Sequence, residues 1–154
     1  METWFGAVRS LYDAILIIEG ARTGALPRLT RRLKEDERTN IIQSGSVFVF
    51  EEGESQIRRW ADSKTWSSSR VRGHFLVYHS VEPGQDYPPN RGSGSPEPNS
   101  PESSALRKSG LSVSTIHGQK MRLIAYFTQA DLDRLPTVDQ EPRLANVRIP
   151  DGFY

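Results

Sequence analysis

Apolar residues recur at helical spacing in the first part of the chain and at strand spacing from Ser46 onward. Leu11, Ala14, Ile15, Ile18 and Ala21 fall on one face of a helix, Ser10 followed by Asp13 has the form of an N-terminal capping pair, and Gly24 supplies a stop. A second helix is predicted over residues 34–43. Glu35, Asp36 and Glu37 suit the positive end of its dipole and Gly45 can end it. Its apolar face is limited to Leu33, Ile41 and Ile42, so its expected role is to buttress a sheet.

From Ser46 the period shortens to two. Val47, Phe48, Val49 and Phe50 form a dense strand-favouring run, residues 51–55 turn through Gly53, residues 56–60 return, and residues 71–79 make a third strand. A second hairpin is predicted from residues 111–116 and 120–128, turning at His117 and Gly118. Beyond Asp131 the pattern gives short helical or irregular pieces. The expected fold class is α+β, a mostly antiparallel sheet of about five strands with two N-terminal helices packed on it.

One segment breaks the pattern. Fourteen of the twenty-three residues at 82–104 are Pro, Gly or Ser, and Tyr87 is the only large side chain. Such a stretch buries too little apolar surface to offset its ordering entropy, and it reads as a flexible linker. The pieces on either side are incomplete cores, which favours one domain over 1–154, with a first box at about 3–81 and a second at about 105–154. Charge divides the same way. The net charge of +1 separates into +4 over the two boxes and −3 over the linker.

The absence of cysteine excludes disulfide scaffolds and thiolate zinc sites. The aliphatic run at 14–18 is too short to span a bilayer and no signal-peptide pattern is present, which predicts a soluble intracellular protein. His74, His79 and His117 lack metal-ligand spacing, and no nucleophile-elbow, phosphate-loop or dinucleotide-binding glycine pattern occurs. No catalytic residue, metal or cofactor is expected.

The chemistry concentrates between Arg58 and Arg72. Five cations, Arg58, Arg59, Lys64, Arg70 and Arg72, stand against one acid, Asp62, with Trp60, Trp66, Ser63, Ser67, Ser68 and Ser69 among them. Cations and hydroxyls suit a phosphate backbone, and indoles either anchor a loop or stack on a base or ribose. Residue types alone leave open a solvated loop pinned by two tryptophans. Arg70 and Arg72, two apart, share a strand face and either track phosphates or are solvated. Arg58 and Arg59 would point to opposite faces of a strand, so both can meet one partner only if the backbone leaves strand geometry. Arg107, Lys108, Lys120 and Arg122 form a second cationic block, and Arg31 and Arg32 are further candidates for phosphate.

S-G-S-V-F-V-F at 44–50, R-R-W-A-D at 58–62 and W-S-S-S-R-V-R-G-H-F-L-V-Y at 66–78 resemble the signature of the WOPR-domain family of fungal transcription regulators, of the white-opaque switching and gluconate-transport-inducer type. The likeness begins at T-W-F-G at 3–6. It resumes with L-R-K at 106–108 and G-Q-K-M-R-L-I-A-Y-F at 118–127, and closes with R-I-P-D-G-F-Y at 148–154. It implies two boxes forming one unit and a nuclear transcription regulator. Its partner would be A/T-rich double-stranded DNA, with other transcription regulators as further partners and no membrane or small-molecule substrate. The expected DNA-binding set is Arg58, Arg59, Trp60, Lys64, Trp66, Ser67, Ser69, Arg70, Arg72, Arg107 and Lys108, with the loop in the minor groove and Arg59 at its mouth. A guanidinium suits a narrow A/T-rich groove, where the potential is enhanced and dehydrating a diffuse charge is cheap.

Two positions depart from the family pattern. Ala61 and Ser63 stand where many members have Thr and Gly, which removes a phosphorylatable threonine and places a side chain at a turn. The alternative reading is a degenerate member that keeps the fold as a protein-interaction module.

Overall fold

The computed structural model describes residues 2–80 and 105–154, so the linker expected at 82–104 lies outside the described residues. Six strands form one antiparallel sheet: β1 (Trp4–Phe5), β2 (Ser46–Glu51), β3 (Arg70–Arg72), β4 (Phe75–His79), β5 (Leu106–Ser114) and β6 (Lys120–Thr128). Their order across the sheet is β1-β2-β6-β5-β4-β3. The helices are α1 (Leu11–Thr23), α2 (Glu35–Asn40) and the single turn α3 (Glu52–Ser55), and two 3-10 turns follow at Val138–Gln140 and Pro142–Leu144.

Helix α1 forms where its signals place it. Ser10 Oγ accepts the Asp13 N–H at 3.1 Å, while the Asp13 carboxylate accepts the N–H of Arg9 rather than that of Ser10. Gly24 ends the helix at φ 91°. Burial extends past the expected stripe to Leu16 and Ile17, because α1 lies between the sheet and the C-terminal segment carrying Val138, Leu144 and Tyr154. Gly20 permits that approach: a Cβ there would stand 2.6 Å from Leu144 Cδ2.

The second helix is shorter than predicted and buries none of its own residues. Leu33 and Ile42, just outside its ends, do the packing, so segments rather than a helix cover the second sheet face. There Leu29, Leu33, Ile42, Ile57, Trp60 and Trp66 pack on Phe48, Phe50, Ile124 and Tyr126.

Strand β2 is central, which accounts for its unbroken apolar run: Val47, Phe48, Val49 and Phe50 are all 0% exposed. Val47 and Val49 face α1, and Phe48 and Phe50 face the other side. One edge of β2 is taken by β6 and the other by β1 at Ser46 and Val47 and by Leu29, whose N–H donates to the Val49 carbonyl at 2.9 Å, so no edge remains for the return strand expected at 56–60. The chain instead makes α3, turns at Gln56 with φ 60°, and crosses the sheet's face. The single strand expected at 71–79 is likewise a hairpin, β3–β4, because Gly73 at φ 60° opens a two-residue turn. The second hairpin forms as expected around Gly118 at φ 81°, with strands running from Leu106 and to Thr128.

Candidate nucleic-acid interface

The basic loop is built around its one acid. Asp62 is 5% exposed and its carboxylate accepts four donors. The Tyr126 hydroxyl donates at 2.6 Å, Trp66 Nε1 at 3.0 Å to each oxygen, the Lys64 N–H at 3.1 Å and Lys108 Nζ at 3.3 Å. Tyr126 in turn accepts Trp60 Nε1 at 2.6 Å. The Trp60 indole stacks on Phe50 with ring centroids 5.6 Å apart and planes 13° from parallel, and it touches Phe48 at 5.2 Å. Both tryptophans are half-buried anchors.

Burial opposes ionisation of Asp62, but the hydrogen bonds from Tyr126 and Trp66 and the charge of Lys108 outweigh it and hold the carboxyl below its ordinary pKa. Burial pushes the Tyr126 phenol well above its ordinary range, and the neighbouring carboxylate adds to the effect. Lys108 lies over the Trp66 and Tyr78 rings at 4.6 and 4.8 Å. Burial costs its ammonium more than Asp62 returns, so its pKa lies below that of a free lysine.

With Asp62 turned inward, the loop presents cations outward. Residues 56–60 have left strand geometry, and Arg58 and Arg59 both line a cleft of about 450 Å³ whose other walls include Trp60, His74, Tyr78 and Arg122. Arg122 donates to the Arg58 carbonyl at 3.0 Å and lies over the Phe50 ring, which fixes this wall. Lys64 and Ser69 are exposed on the loop. Ser63 adopts φ 62°, the left-handed region that favours glycine, so the turn is formed at a cost of roughly 1–2 kcal/mol.

Other expected site residues are placed differently. Lys108 is 12% exposed at its side chain and paired with Asp62, so it serves as an anchor of the loop while also lining the cleft with Arg58 and Arg59. Arg107 lies on the opposite face of β5, where it donates to Gln129 Oε1 at 3.2 Å. The Ser67 hydroxyl accepts the His79 N–H at 3.0 Å and donates to the Ser68 carbonyl, so it is committed to the protein. Arg70 and Arg72 share one exposed face of β3, but it is the face on the α1 side, since their partners Val77 and Phe75 point there. Arg31 is paired with Glu37, whereas Arg32 is exposed.

Sequence reasoning missed Tyr126 as a loop partner and His74 as part of the cleft. A lone acid between two tryptophans and a ring of cations was the available signal for Asp62. Among the described residues, no group of three or more His, Asp or Glu is placed to hold a metal ion, and no helix is long and apolar enough to cross a membrane.

Comparison with known proteins places this architecture. Over 99% of this chain and 93% of the other, the structure superposes on a chain from the complex of the WOPR domain of Wor1 in Candida albicans with 13bp dsDNA, with TM-score 0.77 and 29% identity. The cAMP-independent regulatory protein pac2 of Schizosaccharomyces pombe is 32% identical in an alignment of 195 positions, covering 100% of this chain and 82% of pac2. The global transcription regulator sge1 of Gibberella moniliformis is 49% identical over 80 residues, 52% of this chain but 24% of that protein. Residues 3–109 match the model of the Gti1/Pac2 family, and with pac2 aligned along the whole of it, the chain belongs to that family.

Proposed function

We propose that this chain is a nuclear, double-stranded-DNA-binding transcription regulator that recognises an A/T-rich site by setting its basic Trp/Ser loop in the minor groove. The observation that carries the reading is the inward commitment of Asp62, which leaves Arg58, Arg59 and Lys64 exposed around one loop. The likeness to a domain solved with dsDNA supports it, as do relatives described as transcription regulators.

In this reading Lys64, Ser69, Arg70 and Arg72 hold phosphates on either side of the sheet edge, which sets register without reading sequence. Arg59 enters the groove, and its guanidinium exploits the potential of a narrow A/T tract. Trp60 and Trp66 act as anchors that hold the loop's shape.

Selection from a random duplex library at about 150 mM salt, where surface electrostatics are substantially screened, tests the proposal. The expected result is one enriched A/T-rich motif, preferred over scrambled duplex by on the order of a thousandfold. No enrichment from a folded sample would overturn it and direct the search to acidic protein partners.

A further inference from the structure

The loop from Ile57 to Ser69 has little backbone pairing of its own. Among the described residues it meets a strand at Trp66 and Ser67, where Trp66 bridges Ser80 and Ser67 N–H donates to the His79 carbonyl. Its shape must therefore come from side chains, and these converge on Asp62 and Tyr126. An indole N–H can only donate, so the single proton of the Tyr126 hydroxyl is left to point at Asp62. Trp60, Asp62, Lys64 and Trp66 are thereby joined in one hydrogen-bonded path.

Tyr126 is 0% exposed and lies on β6, and Lys108 lies on β5. Both hold the loop from the far side of the linker. A fully buried tyrosine cannot touch a duplex, so its influence on one must pass through the loop.

We propose that Tyr126, with Asp62 and Lys108, is a positioning residue for DNA recognition: the second box pre-organises a loop that the first box supplies. This rests on the DNA-binding reading above. A loop fixed before binding loses less conformational freedom on contact, so affinity depends on Tyr126 and Asp62 without either meeting DNA.

Tyr126→Phe tests the proposal, since it keeps the ring and removes one hydroxyl. Three quantities are read: hydrogen exchange of the amides at 61–70 against those of β2 and β6, affinity for the selected duplex, and the slope of log affinity against log salt. Loss of the bond to the Asp62 carboxylate, together with the one accepted from Trp60 Nε1, predicts about tenfold or more faster exchange in the loop, unchanged exchange in the strands, and about tenfold or more weaker binding. The salt slope should not move, because the set of phosphates contacted is the same. Arg59→Ala is the contrast, weakening binding with loop exchange unaltered.

A Tyr126→Phe protein with a faster-exchanging loop and wild-type affinity overturns the positioning role. So does one in which loop exchange is unchanged. A wild-type chain that selects no duplex overturns the DNA reading together with this one, so the two failures are distinct. Should Tyr126→Phe fail to fold, Asp62→Asn combined with Lys108→Gln removes the ion pair as a unit and is read by the same three measurements.

Discussion

Tyr154→Phe isolates the contact that ties the C-terminal segment to α1. Glu19 is 2% exposed, and its carboxylate receives Arg22 Nε and Nη2, both at 2.7 Å, and the Tyr154 hydroxyl at 2.6 Å. Burial works against this charge, but the hydrogen bonds from Arg22 and Tyr154 more than compensate, and the Glu19 pKa falls below its ordinary value. The Arg22 guanidinium also sits 4.4 Å over the Phe153 ring. Removing the hydroxyl leaves the ring and its packing in place and opens no cavity, so the cost is that of one hydrogen bond to a charged group. Such bonds contribute about 1.5–3 kcal/mol, and because Tyr154 is only half-buried the expected loss is about 2 kcal/mol. For a domain of this size that lowers Tm by about 4–8 °C. Urea unfolding near neutral pH should show a lower midpoint with an unchanged m-value. In a Glu19→Gln background the same substitution should cost much less, which gives a coupling energy of about 1 kcal/mol or more in a double-mutant cycle. Duplex binding should be unaffected, since the cluster packs on the sheet face opposite the loop. A destabilisation below about 0.5 kcal/mol, the range of an ordinary surface substitution, would refute the argument, as would strict additivity with Glu19→Gln.

Gly6→Ala should destabilise by about 3 kcal/mol, measured by thermal unfolding, through overpacking: the new methyl would sit 2.3 Å from Trp4 Cη2 and 2.6 Å from the Pro136 carbonyl oxygen. Arg59→Ala should leave unfolding near wild type and lose about 1–3 kcal/mol of discrimination between the A/T-rich site and scrambled duplex in competition binding. A uniform loss on both DNAs would assign Arg59 to phosphate. For pH, the Asp62 carboxyl is depressed in the folded state, so its contribution is complete above the unfolded value and is lost as pH falls through the folded one. The urea midpoint should therefore drop as pH falls below about 5, and Asp62→Asn should be less stable near neutrality but flatter over that acid range.

The elements that were legible in the sequence are those whose signals are local. Ser10, Asp13 and Gly24 delimit α1 within one short stretch, and Gly118 marks its hairpin. The Val47–Phe50 run announced a strand but not its neighbours. A continuous apolar run is the mark of a strand with both faces covered, and occupation of its two edges, by β6 on one side and by β1 and Leu29 on the other, is what denied residues 56–60 an edge. Gly73 carried a turn signal that the apolar run after it masked. At the candidate site, the cationic character of 58–72 is compositional and could be read directly. The direction each side chain takes could not, because the partners that decide it are remote: Tyr126 is 64 residues from Asp62, and Lys108 is 46. Lys108 illustrates the point. By residue type it belongs with Arg107 to a basic block, yet adjacent positions on a strand face opposite ways, and one of them was turned under the loop.

The strand order has a bearing on synthesis. In the sheet, β5 and β6 lie between β2 and β4, so strands made early sit on either side of a hairpin made late. A nascent chain that has emerged only through His79 carries β1–β2 and β3–β4, but the edge of β2 that pairs with β6 and the edge of β4 that pairs with β5 stay bare until Thr128 clears the ribosome. Acquisition of the native sheet is thus a late, long-range event, slow by its topology and exposed to aggregation in the interval.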